Sequence, residues 1–330
     1  MRSEFLEILR CPQTGEQLVL DQPEYVGERI RSGWLVSPQH RYLVRDFVPR
    51  FVSNSNYAES FGMQWNRFRQ TQLDSYSGHP ISAQRFWRTT AWHPRDLEGT
   101  WVLDAGCGAG RFAEIALEAG ARVVALDYSR AVDACYANLL NHPNLSVVQG
   151  DIYALPLQRS FFQFVYSLGV LQHTPDVARA VAALPPMLAP GGRLCVDFYQ
   201  KSWRNVLLPK YWLRPLTIRM PADRLFTICE LLVPRLLRLS RFVSRLPLLG
   251  GWLGRLIPVA NYSGTLPLSE QQHMEWSLLD TFDWLSPRFD NPQTAYTVKR
   301  WLEAAGLQHV EVLRTDHLTG RGAASDACSR

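Results

Sequence analysis

Between Gly99 and Gln200 the text alternates short apolar runs with helical patterns, and this constrains the fold more than any other feature. WVLDA, RVVALD, LSVVQGD, FFQFVYSLG and RLCVDFY read as strands; RFAEIALEAG, AVDACYANLLNH and VARAVAALPPMLAPGG, set between them, read as helices. Strands and helices taking turns at this spacing imply a parallel sheet covered on both faces. Gly120 stands where the first helix should end, and Gly191-Gly192, after Pro190, where the last should. At 330 residues the chain has room for one large α/β domain with attachments.

Ligands of such sheets bind beyond the carboxyl ends of the strands, where this chain reads LDAGCGAG. Gly106, Gly108 and Gly110 leave bare backbone before a helix whose N-terminus favours an anion. The spacing is G-x-G-x-G, not the G-x-G-x-x-G of dinucleotide sites, and Asp104 would repel a pyrophosphate. Asp127 ends the second strand, where an acid can accept both ribose hydroxyls, and Asp151 ends the third, within reach of an adenine amino group.

These three ordered acids, with LAPGGRL at Leu188–Leu194, resemble the class I S-adenosylmethionine-dependent methyltransferases over roughly residues 99 to 200 and 294 to 313. The resemblance implies a Rossmann-like seven-stranded sheet, one strand antiparallel, with S-adenosylmethionine as cofactor. It assigns Asp104, Ala105, Gly106, Gly108 and Gly110 to the methionine end, Asp127 with Tyr128 to the ribose, and Asp151 with Ile152 to the adenine. Leu168 and Gly169 would pack on the adenosyl group. His173, in SLGVLQHTPD after the fourth strand, is the candidate base for an acceptor hydroxyl or acidic carbon; the alternative is a hydrogen bond that only shapes the loop.

Ahead of the core, ESFGMQWNRFRQTQLDS places Phe61, Trp65 and Phe68 on one helical face. That face either packs on the sheet or lets Gln64, Trp65 and Gln72 close over the cofactor; the segment resembles one found in bacterial methyltransferases. Further upstream, EILRCPQTGEQL and GWLVSPQHRYLVRDFVPRF resemble a small zinc-ribbon unit, but its four ligand positions read Cys11, Thr14, Ser37 and His40. Structural zinc takes four thiolate or imidazole donors, so no metal is expected, and packing of Leu43, Phe47, Val48 and Phe51 should hold the hairpin. The expected organisation is residues 1–53 as this unit, 54–98 as connector and lid, 99–200 and 291–315 as core, 201–290 as a helical insertion, and 316–330 as a tail frayed from about Arg321.

The six cysteines, Cys11, Cys107, Cys135, Cys195, Cys229 and Cys328, lack paired spacing and read as reduced thiols. With no apolar leader and no spanning run, the expected location is the cytoplasm, with contact to the inner membrane surface left open. Charge is uneven: Lys201 to Ala260 holds eleven Lys or Arg against two acids, a local +9, and the rest 24 against 28, or −4. Within it Arg235, Arg238, Arg241 and Arg245 form a stripe, with Leu232, Leu236, Leu239 and Val243 on another face, of a helix expected from near Pro234 to Pro247. Three readings of this insertion stand: a solvated lid over the acceptor pocket; a face for anionic membrane or lipid-phosphate acceptor, anchored by Trp203, Tyr211, Trp212 and Trp252; or an RNA grip. The leading function is methyl transfer to oxygen or carbon of a small-molecule or lipid- or glycan-linked acceptor; the alternatives are an RNA methyltransferase and a non-catalytic cofactor-binding scaffold at a membrane.

Overall fold

The computed structural model describes residues 1–53, 56–140, 142–203 and 207–326; Cys328 and Arg204 lie outside them. The core strands are β5 (Trp101–Ala105), β6 (Arg122–Asp127), β7 (Leu145–Gln149), β8 (Phe162–Ser167), β9 (Leu188–Phe198), β10 (Gln308–Arg314) and β11 (Leu318–Ala323). They run in the order β7-β6-β5-β8-β9-β11-β10, all parallel but β11. This is the sheet expected from the alternation. It does not stop at seven strands, however.

Four N-terminal strands, β1 (Val19–Val26), β2 (Arg29–Val36), β3 (Arg41–Arg45) and β4 (Val48–Arg50), form an antiparallel meander that joins the core where β4 pairs parallel with β7 at Arg50 and Gln149. Eleven described strands thus make one continuous sheet. Arg50 locks the junction, donating to Gln149 Oε1 at 3.1 Å and pairing with Asp133 at 2.5 Å. Inside the meander the inward side chains of β3 are Tyr42 and Val44, because the period of two turns Leu43 to the opposite face. Val48 and Phe51 are buried as expected, and Phe47 stacks on Tyr136. At the zinc-like positions Ser37 N–H donates to the His40 carbonyl at 2.9 Å, and Cys11 lies 3.3 Å from the Tyr42 hydroxyl.

The expected frayed tail is instead β11, inserted between β9 and β10 with Leu318 and Thr319 buried. Its smallness has a packing cause. A Cβ on Gly320 would come within 2.8 Å of Leu302 and Val298, and one on Gly322 within 3.1 Å of Leu307, so only glycine lets the helix Ala295–Ala304 and the turn after it close over this strand. The expected long helix before β9 ends at Ala182, since Pro185 and Pro186 cannot continue it, and Gly191-Gly192 lies within β9 at an irregularity in its pairing with β8.

In the insertion, one helix spans Ala222–Ser244 with Pro234 inside it rather than at its start. Its buried side is Leu225, Phe226, Cys229, Val233, Leu237 and Ser240, which pack with Phe282 and Leu285 of the helix Glu270–Leu285 in a separate apolar cluster. The apolar face expected from Leu232, Leu236, Leu239 and Val243 is therefore inward only in part: Leu236 packs on this cluster, whereas Leu232 and Leu239 are exposed. The stripe also divides: Arg235, Arg238 and Arg245 are exposed, but Arg241 is held by Glu270 and Ser263. The five described cysteines are buried free thiols, and no described helix is long and apolar enough to cross a membrane.

Candidate active site

A cavity of roughly 1530 Å³ lies beyond the carboxyl ends of β5, β6 and β8, walled on its other side by the connector and the insertion. It exceeds the ~300–1,000 Å³ of a pocket for one small molecule, so cofactor and acceptor can share it. Of the residues assigned from sequence, Gln64, Trp65, Gln72, Gly106, Gly108, Asp127, Tyr128, Ile152, Leu168 and His173 border it. Asp104, Ala105, Gly110 and Asp151 do not.

The glycine turn shows why. After β5 the chain reverses through Gly106, Gly108 and Gly110, all at positive φ (96°, 52° and 92°). A Cβ on Gly106 would fall 2.4 Å from Val170, and one on Gly110 2.8 Å from Leu139, so these two serve packing of protein against protein. Gly108 faces the Trp65 ring, 3.3 Å from where its Cβ would be. Its N–H donates to Asp127 Oδ2 at 2.9 Å, while Oδ1 accepts from Ser129 N–H and Oγ at 2.8 and 2.7 Å. Burial raises the Asp127 carboxyl above its usual range, opposed by these donors. Asp127 is thereby fixed at the cavity wall with lone pairs left for a ligand's hydroxyls.

Asp104 is sealed beneath the loop, with Oδ2 lacking any hydrogen-bond partner. Burial pushes it up to about 8, the charge of Asp127 adding to this and the Tyr166 hydroxyl opposing it. An acid held neutral and short of a partner is the group that a nearby sulfonium or ammonium would stabilise as an anion. Asp151 instead closes its own turn, accepting from Tyr153 N–H at 2.9 Å, and leaves Gly150 and Ile152 on the wall. Tyr57 stacks on Tyr128 at 5.0 Å between ring centres. A carboxylate for a ribose, flat aromatic and aliphatic walls for an adenosyl group, and a buried acid near the loop fit S-adenosylmethionine.

The connector helix Glu59–Arg67 turns its aromatic face to the cavity, not the sheet: Phe61 meets His173 and Phe68 meets Phe226 of the insertion. Gln64 Nε2 donates to Asp283 at 3.1 Å and Gln72 Nε2 to Asp280 at 3.2 Å, which ties this connector to the helix Glu270–Leu285. His173 is buried in a single 3₁₀ turn, with Nδ1 2.9 Å from the Phe289 carbonyl. A carbonyl only accepts, so Nδ1 carries the proton and Nε2 the lone pair.

Reading the sequence missed several charged groups of the wall opposite the adenosyl faces. Arg111, half-buried and lowered to about 10 mainly by desolvation, bridges Ser82 and Gln72 at 2.9 Å each. Arg85 pairs with Asp197 at 2.8 Å. Asp280 is pushed up to about 6 by burial and accepts from the Tyr262 hydroxyl. The spacing of Asp280 and Asp283 in SLLDTFDWL, three apart among the leucines and aromatics of the helix's second half, was the available signal.

A buried acid under a glycine turn, a ribose-type acid on the next strand and a shared cavity define an S-adenosyl-binding α/β domain. Residues 103–196 match the methyltransferase domain family, and this part of the chain is a class I S-adenosylmethionine-dependent methyltransferase domain. The ubiquinone biosynthesis O-methyltransferase of Methylocella silvestris is 38% identical over 105 residues, 30% of this chain and 40% of that one. Those of Albidiferax ferrireducens (31% over 120 residues, 35% and 48%) and Coxiella burnetii (27% over 113 residues, 34% and 48%) are similar over comparable lengths. The chain thus spans between 40% and 48% of the length of these relatives. Among solved structures, the 1,6-didemethyltoxoflavin-N1-methyltransferase of Burkholderia thailandensis is similar at 14% identity and a TM-score of 0.45, covering 92% of this chain and 100% of that one.

Proposed function

We propose that the protein transfers a methyl group from S-adenosylmethionine to an oxygen or carbon of a small-molecule or lipid- or glycan-linked acceptor seated between the glycine turn and the insertion. The observation that carries this reading is His173, on the wall common to both, with Nδ1 committed to the Phe289 carbonyl. When bound, the cofactor supplies an electrophilic methyl on a sulfonium. Asp127 would hold the ribose, Tyr128, Ile152 and Leu168 the adenosyl faces, and Trp65 would cover the turn and exclude water. His173 Nε2 would take the proton of an acceptor hydroxyl as the oxygen attacks, leaving an imidazolium whose Nδ1 proton stays on the carbonyl. The O-methyltransferase relatives support oxygen as nucleophile. An RNA acceptor is the weaker reading, because four of the cations lining the cavity are already paired, Arg85 with Asp197, Arg88 with Asp316, Lys210 with Asp290 and Arg241 with Glu270.

The test is labelled methyl transfer from S-adenosylmethionine to a panel of phenolic, carboxylic and polyprenyl-linked acceptors, with cofactor binding followed by calorimetry. His173→Asn should leave cofactor affinity unchanged and slow transfer by roughly 10²–10⁴-fold. Failure of the wild-type protein to bind the cofactor would sink the reading, and full activity in the variant would remove His173 from the chemistry.

A further inference from the structure

We propose that the outward face of the insertion docks on a lipid bilayer carrying anionic headgroups, with the rim of the cavity resting at that surface. Among the described residues, 15 of the 21 exposed large hydrophobic side chains fall between residues 203 and 252, less than a sixth of the chain. On the helix Ala222–Ser244 they do not sit apart from the arginines. At about 100° per residue, Ile228, Leu231, Arg235, Arg238, Leu239 and Phe242 share one sector of roughly 100°, opposite the buried side. Phe242 is 66% exposed and Leu231 58%. The helix's two acids, Asp223 and Glu230, lie outside this sector, and Glu230 is taken by Arg67.

A lid facing only water would turn polar residues outward, as surface helices do. This one turns leucine, isoleucine, phenylalanine and arginine outward together. Of the segment's ten described basic residues seven are exposed; Lys210, Arg214 and Arg241 are spent on Asp290, on the Trp284 and Pro287 carbonyls, and on Glu270. The surface that remains is cationic and apolar at once. RNA would engage the arginines and leave the leucines bare. A second copy would bring the same positive charge against itself. A bilayer satisfies both sets, phosphates taking the guanidinium forks and the acyl boundary taking the apolar side chains.

The face is also continuous with the site. Arg245, Gly251 and Arg255 border the cavity, while Leu249 and Trp252, in the same short stretch, are 61% and 58% exposed outward. If the methyl-transfer reading holds, this places the acceptor's entry at the membrane surface and favours an amphiphilic acceptor whose polar end reaches His173. The docking face itself does not depend on that reading.

Sedimentation of the full chain with vesicles tests it. The protein should pellet with phosphatidylglycerol–phosphatidylcholine vesicles at low salt, less as salt rises, and not with phosphatidylcholine alone, because the attraction is screened over about 10 Å at 0.1 M salt. The variant L231E/F242E/L249E, altered only at exposed positions, should partition about tenfold or more weakly, and R235Q/R238Q less severely so. Wild-type protein left in the supernatant at low salt, or a triple variant that pellets like wild type, overturns the proposal. So does sedimentation equilibrium showing a dimer that the triple variant abolishes, which would make a second copy the occupant. Cofactor binding by calorimetry is measured on the same samples without vesicles, so that loss of docking and loss of the methyltransferase reading are told apart.

Discussion

The two walls of the cavity follow opposite rules. On the sheet side the helix Arg111–Glu118 buries Phe112 through Leu117 in succession, and its neighbours are fixed by glycines that admit no side chain. On the insertion side the helix Ala222–Ser244 buries one stripe and leaves large apolar side chains in the open. The first wall is built for a single ligand geometry. The second is built to meet something outside the chain, and its stability should be correspondingly insensitive to what its outward face carries.

The largest effect expected from this contrast concerns Asp104. Its folded value near 8 lies above its ordinary 3.8, so the folded protein keeps a proton that the unfolded chain releases. Stability from this group is full below about pH 4 and is lost as pH rises to about 8. Asp104→Asn should therefore flatten the curve, the variant gaining on wild type by up to about 6 kcal/mol across the window, at about 1.36 kcal/mol per unit. Denaturant titrations at pH 4, 6 and 8 read the difference, and parallel curves would show that the carboxyl is not buried as described. Next is Gly106→Val, which forces a branched side chain into Val170 at positive φ and should cost about 3 kcal/mol or more; a thermal midpoint within two degrees or so of wild type would refute the packing. Asp127→Ala should weaken cofactor binding by roughly 1.5–3 kcal/mol, the worth of a charged acceptor, and unchanged calorimetric affinity would take Asp127 out of the site. Phe242→Ser is the smallest, within about 0.5 kcal/mol of wild type; a larger loss of stability would mean the outward face is packed after all.

The core was legible because its signals are local. Apolar runs of strand length, the glycine turn and the acids at strand ends sit within a few residues of one another, and eight of the core residues so assigned, Gly106, Gly108, Asp127, Tyr128, Ile152, Leu168, Gly169 and His173, border one cavity. What was misread depends on partners distant in sequence. LTGRGA shows no apolar alternation, yet Leu318–Ala323 is an interior strand because the helix over it demands glycine. Asp104 and Gly110 looked like ligand contacts, but protein atoms close over both. In the insertion, helical spacing located a helix and could not say which of two apolar sets faced inward. Only Phe226 against Phe282 decides that, 56 positions apart.

The junction between β4 and β7 bears on solubility. The two true borders of the sheet are poor templates for another strand: β1 carries Asp21, Pro23 and Glu24, and β10 carries Glu311 and Arg314. β7 has no such protection, reading Leu-Ser-Val-Val-Gln from Leu145 to Gln149, and only the meander hides it. Removing residues 1–53 would bare an uncharged, β-branched edge, so a chain lacking them should clump through strand addition while the cavity, none of whose lining lies among those residues, stays intact.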